Sequence, residues 1–176
     1  MKPSRHLILL LLPLLSGACT GLNPEIVRPK NYEKTLQLNA EQRPKFIGTW
    51  TFERTSSSRQ LKERLTLNAD STYSGHLFLA TRDSVVKEGV TIYGDWNVQI
   101  DSDLTTTSNG KQAKWQLVAT SQGNCLHLEN LSVDINTSPE KTSVALQSPY
   151  FESVEGSVLV MTDLLYNGTY REYRRQ

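Results

Sequence analysis

The segment Cys125-Leu126-His127-Leu128-Glu129 puts a thiol, an imidazole and a carboxylate at alternate positions. In a strand all three would leave the same face. In kind these are ligands for zinc or copper. Same-face neighbours on one strand stand roughly 6.5–7 Å apart, from a rise of about 3.3 Å per residue. A shared ion would therefore need inward-leaning side chains and a further ligand such as His76. A solvated strand face is the simpler reading, so no metal is expected. The remaining supply for catalysis is thin. There is no H-E-x-x-H, no G-x-S-x-G and no phosphate-cradling glycine loop. Asp101-Ser102-Asp103 lacks the glycine and distal glutamate of a calcium loop and reads as a turn. His76 and His127 alternate with leucines in a way that turns them to solvent. The chain is expected to be neither an enzyme nor the holder of a cofactor.

The other cysteine, Cys19, ends a different pattern. Lys2 and Arg5 precede an apolar run, Leu7 to Leu15, that is broken by Pro13 and followed by Ser16-Gly17-Ala18. This is the layout of a secretory signal, with an apolar core too short to span a bilayer as a helix. Cutting after Ala18 satisfies the small-x-small rule and makes Cys19 the first mature residue. "LLSGACT" also resembles the bacterial lipobox, with Ser16 where leucine is usual. That resemblance implies acylation of the Cys19 thiolate, a step for which no other residue type would serve. Each buried methylene adds about 0.8 kcal/mol, and stable anchoring takes more than one chain. Thr20 stands where aspartate would signal retention in the inner membrane, so the resemblance implies an outer-membrane anchor, on either the periplasmic or the surface face. If Cys19 is not acylated, a Cys19–Cys125 disulfide is the alternative, since exported proteins meet an oxidising compartment. Otherwise Cys125 is a lone buried thiol.

Losing residues 1–18 would take Lys2 and Arg5 from the 19 basic residues and none from the 18 acidic ones, leaving a formal charge of −1. Such balance gives no support to a nucleic-acid partner. Residues 19–45 then read as the lipidated cysteine and a flexible tether, with two prolines in 20–43, scattered charge and at most a helical turn after Asn39. From residue 46 to 176 the pattern becomes short alternating segments between turn clusters. Leu61, Glu63, Leu65 and Leu67 share one face, with Glu63 the misfit. Tyr73, Gly75, Leu77 and Leu79 share the next, after Asn68-Ala69-Asp70-Ser71. Val90, Ile92, Trp96, Val98 and Ile100 continue the theme, followed by Trp115-Leu117-Ala119, Leu126-Leu128, Val144-Leu146 and Val158-Val160. Asn167-Gly168 is the strongest single hairpin signal. About 8–10 antiparallel strands imply an all-β sandwich or a closed barrel, and closure would remove exposed edges.

Phe46-Ile47-Gly48-Thr49-Trp50 supplies a G-x-W on the first strand, which resembles the opening motif of lipocalins and the wider calycin group. "LTLNADSTYSG" is similar to the first hairpin of bacterial lipocalin-like domains, Gly94-Asp95-Trp96-Asn97-Val98 to a later G-x-W-x-V element, and "YNGTYREYRR" to their last strand. The resemblance implies a single antiparallel up-and-down β-barrel with Trp50 plugging its closed end. It also implies that Gly48 allows a bend there and that a last-strand arginine, Arg171 or Arg174, packs across the indole.

Two functions follow from such a barrel. It holds a small apolar molecule, or it is filled by its own side chains and acts by protein contact as an accessory envelope lipoprotein. Trp50, Tyr73, Trp96, Trp115 and Tyr166 could fill the interior, whereas Gly75, Gly94 and Ala119 could leave space. Any pocket is expected at the end opposite Trp50, with apolar walls from Leu65, Leu77, Val98 and Leu117.

Overall fold

The computed structural model describes residues 31–176 apart from 105–106, 109–110, 138–139 and 166–168. Cys19 and the signal-like segment lie outside the described residues, as do Tyr166 and Asn167-Gly168.

The first element corrects the tether. Residues Tyr32–Phe46 form a 15-residue helix, α1, rich in good helix formers, with Glu33 in its first turn and Arg43 and Lys45 in its last. Pro44 sits in the final turn, near the point where the chain leaves the helix at Ile47. The strands follow as β1 (Gly48–Thr55), β2 (Arg59–Leu67), β3 (Tyr73–Thr81), β4 (Ser84–Lys87) and β5 (Val90–Tyr93). Then come β6 (Asn97–Asp103), β7 (Thr107–Ser108), β8 (Lys111–Gln112), β9 (Trp115–Ala119) and β10 (Asn124–Leu128). The last five are β11 (Ser132–Thr137), β12 (Glu140–Ala145), β13 (Tyr150–Glu155), β14 (Val158–Thr162) and β15 (Tyr170–Arg175).

Eleven of these strands make one antiparallel sheet in the order β12-β11-β6-β3-β2-β1-β15-β14-β13-β10-β9, curled into a half-barrel. Among the described residues no pairing joins β9 to β12. The order also departs from a simple meander. The chain passes from β10, near one edge, to β11, near the other, through residues 129–131, and returns through 146–149. Both crossings are tied down. Leu146 N–H donates to the Leu131 carbonyl and Leu126 N–H to the Pro149 carbonyl, both at 2.9 Å. Trp115 N–H, at the start of β9, reaches the Ser71 carbonyl in the β2–β3 turn at 2.7 Å.

The β9 edge is covered by α1. Leu117 N–H donates to Asn39 Oδ1 at 3.1 Å while Asn39 Nδ2 donates back to the Leu117 carbonyl. One helical turn earlier, Thr35 Oγ1 accepts from Ala119 N–H at 3.2 Å. A helix turn of about 5.4 Å nearly matches a two-residue step along a strand, so two side chains satisfy alternate groups of an otherwise open edge. Arg43 extends the clasp, donating to Ser71 Oγ at 2.7 Å with its guanidinium over the Trp115 ring.

The interior is packed. Trp50, Trp115, Tyr73, Tyr173, Leu65, Leu77, Leu117, Leu126, Leu159 and Met161 are all fully buried. Gly75 leaves no space, because Leu104 fills it: a Cβ there would lie 2.5 Å from Leu104 Cδ1. Two phases differ from the sequence reading. In β14 the buried residues are Leu159 and Met161, with Val158 and Val160 only partly covered. "VLVM" is apolar at every position, so its alternation is ambiguous. At β6 a bulge shifts the register between Leu79 and Ala80, and Val98 lies beyond the β11 pairing at Ile100. Val98 is therefore 39% exposed and lines no interior wall, and Trp96 is likewise partly exposed.

Candidate functional site

Trp50 lies near the start of β1, just past the end of α1. It is fully buried, and its indole N–H donates to the Phe46 carbonyl in the last turn of α1 at 2.7 Å. The guanidinium that covers the ring belongs to Arg175, 4.6 Å from the centroid. This replaces Arg171 and Arg174 in the expected contact. The reason is register: Arg175 is the residue directly opposite Trp50 where β1 meets β15. Arg175 also donates to the Lys45 carbonyl, placing a cation at the C-terminus of α1, where the helix dipole favours it. Gly48, at φ +138°, makes the bend from helix to strand in a conformation that favours glycine. Arg174 is exposed and pairs with Glu172 at 3.4 Å.

Arg171 serves the opposite end. Along β1 that end lies four residues from Trp50, roughly 13 Å at about 3.3 Å per residue. There the buried misfit Glu63 (2% exposed) accepts hydrogen bonds from Leu164 N–H at 3.2 Å and from the Tyr173 hydroxyl. Burial is the main force on its carboxyl and pushes its pKa up to about 7, although both donors and the charge of Arg59 pull it down. Burial likewise drives the Tyr173 phenol well above its ordinary value, with the Glu63 charge adding to it. Beside this pair, Asp163 is 3% exposed, and its Oδ2 lies 3.4 Å from Arg171 Nε. The two are within ion-pair distance but not aligned for a hydrogen bond, and among the described residues Asp163 Oδ1 has no partner.

Above these groups opens a cleft of about 310 Å³, whose walls include Arg54, Ser58, Arg59, Leu61, Asp163 and Arg171. It lies toward the end of β1 away from Trp50. Its walls do not match the expectation of apolar residues. Leu65, Leu77 and Leu117 are buried in the core, Val98 is exposed, and apart from Leu61 the cleft is lined by charge and hydroxyl. Glu63 was visible in the sequence as a carboxylate on an otherwise leucine face. Asp163 and its contact with Arg171 gave no such signal, because the pairing spans the β14–β15 connection.

Cys125, His127 and Glu129 are engaged separately. The Cys125 thiol is buried, which raises its pKa, and points to the Ser148 carbonyl at 3.9 Å. Glu129 accepts from Lys114 N–H at 3.1 Å, and His127 is half-buried. On the outer face His76 lies between Asp101 (3.1 Å) and Asp103 (3.0 Å).

A second feature is on the surface. The β4–β5 hairpin turns through Glu88 and Gly89, both at positive φ, as a two-residue hairpin loop with matching twist requires. Val85, Val86, Val90 and Ile92 are exposed along it. At its base Arg82 lies between Tyr93 and Trp96, 4.5 and 4.6 Å from the two ring centroids. Comparison with protein-family models, with curated proteins and with solved structures found no match for this chain.

Proposed function

We propose that the chain is an exported lipoprotein, anchored in the outer membrane through Cys19, whose lipocalin-like domain works by protein contact. It is not read as an enzyme. On this reading the half-barrel resembles a lipocalin barrel around Trp50 and departs from its meander order where residues 129–131 and 146–149 cross between the sheet's two edges. The observation that carries the contact reading is where apolar surface is left uncovered. The interior positions are packed against one another, whereas Val85, Val90 and Ile92 stand exposed on one face of a hairpin, with Val86 exposed on the other. Contiguous exposed apolar surface on a folded domain marks an interaction site more often than an accident of composition. A protein that enclosed an apolar ligand would keep that surface inside.

A hydrophobic dye that brightens on binding tests this. The full chain is expected to show no saturable site that survives when Val85 and Val90 are both changed to threonine, with the fold checked by circular dichroism. A saturable site unaffected by that change would restore the small apolar ligand as the better reading.

The anchor has its own test. Cys19→Ala is expected to release the protein into the soluble periplasm or to block its processing. The motive is a small-residue run ending on a cysteine directly after an apolar segment. A mature N-terminus with unmodified Cys19, or cleavage elsewhere, would rule the anchor out.

A further inference from the structure

The cleft opposite Trp50 holds two features that call for different ligand groups. Asp163 is buried, and among the described residues its Oδ1 has no hydrogen-bond donor. Glu63, the neighbouring acceptor, is already served by Leu164 N–H and the Tyr173 hydroxyl. A buried carboxylate oxygen left without a donor is unfavourable, so this one selects for an N–H group entering the cleft. An ammonium suits it best, because a charged donor makes the stronger bond. The rim is the reverse. Arg54 and Arg59 are exposed on the two strands of the β1–β2 hairpin, and among the described residues no carboxylate lies within ion-pair distance of either. Planar guanidinium groups in such a position bind oxyanions in pairs of parallel hydrogen bonds. With Arg171 counted against Asp163, two positive charges remain for the rim.

We propose that this cleft binds a small zwitterion, with an ammonium seated on Asp163 and an oxyanion held by Arg54 and Arg59. The chemistry is the same whether the molecule is a free solute or an aminophosphate headgroup at a membrane surface. Neither group alone would answer both features.

Calorimetric titration of the full chain tests it with O-phosphoethanolamine and β-alanine as zwitterions, against inorganic phosphate and ethanolamine as the parts of the first, and propionate and ethylamine as the parts of the second. At least one zwitterion is expected to bind tenfold or more tightly than either of its parts. Asp163→Asn should bring O-phosphoethanolamine down to the level of phosphate, and Arg59→Gln should weaken both together. Asp163 is buried and its replacement could disturb the fold, so the exposed Arg54→Gln provides a second variant, with thermal unfolding recorded for each. Phosphate binding as tightly as O-phosphoethanolamine would overturn the proposal, as would affinities unchanged in Arg54→Gln and Arg59→Gln, or the absence of any binding. Sedimentation with phosphatidylethanolamine vesicles, competed by free O-phosphoethanolamine, would identify a headgroup. Binding of the free compound alone would identify a solute.

Discussion

Raising the pH from 4.5 to about 7 is expected to destabilise the folded protein by about 3 kcal/mol relative to Glu63→Gln. Glu63 has an ordinary carboxyl pKa near 4.5 when the chain is unfolded and one of about 7 when folded. Between those values the folded state holds a proton that the unfolded state has released. Stability from this group is therefore fully present below 4.5, falls as pH climbs, and is gone above about 7. The cause is the burial of a carboxyl whose two donors, Leu164 N–H and the Tyr173 hydroxyl, do not offset lost hydration. Glutamine keeps the shape and an acceptor oxygen but cannot ionise. Urea unfolding of both proteins at intervals from pH 4.5 to 8 would read the difference directly, with other titrating groups cancelling between them. Parallel curves for the two would mean that Glu63 is not held in the environment described.

Trp50→Ala is expected to cost about 3–5 kcal/mol, the range for deleting a large aromatic from a core. Three contacts go together: the packing of a fully buried ring, the hydrogen bond to the Phe46 carbonyl, and the surface on which Arg175 lies. Arg175→Ala should cost much less, about 0.5–1 kcal/mol for the loss of a cation–π contact at an exposed site. Denaturant midpoints with unchanged slopes would establish both numbers as stability changes. A Trp50→Ala loss below about 1 kcal/mol, the scale of a surface change, would show that this tryptophan is not packed as described.

The residues that were legible in the sequence are those whose surroundings are set by their own strand. Leu61, Glu63, Leu65 and Leu67 alternate and are all buried, so one reading of β2 gave both the core face and the misplaced carboxylate. The Trp50 motif gave a buried tryptophan with an arginine over its ring, but not which arginine. That choice depends on the offset between β1 and β15, which neither strand contains alone. Helix α1 was missed for a related reason. Its main docking is through Thr35 and Asn39 to the backbone of β9, so it needs no apolar stripe, and periodicity has nothing to detect. Val98 failed because a bulge interrupts the period of two, and β14 because both its faces are apolar. The polar lining of the cleft stayed hidden because Asp163 and Arg171 lie on either side of a connection, and no spacing rule joins them.

The pairing of β1 with β15 lies at the middle of the sheet, not at its margin. Thr51 and Arg174, which face each other there, are 123 positions apart in the sequence. Within the sheet itself, strand pairing joins the two halves only once the C-terminal strand has been made. That adds to the contacts of high sequence separation in the fold, and such contacts are slow to form. The consequence is a protein with a late and abrupt transition to its folded state. A chain ending before residue 170 would keep both halves of its sheet and lose the strand between them, exposing two new edges where the intact fold has none.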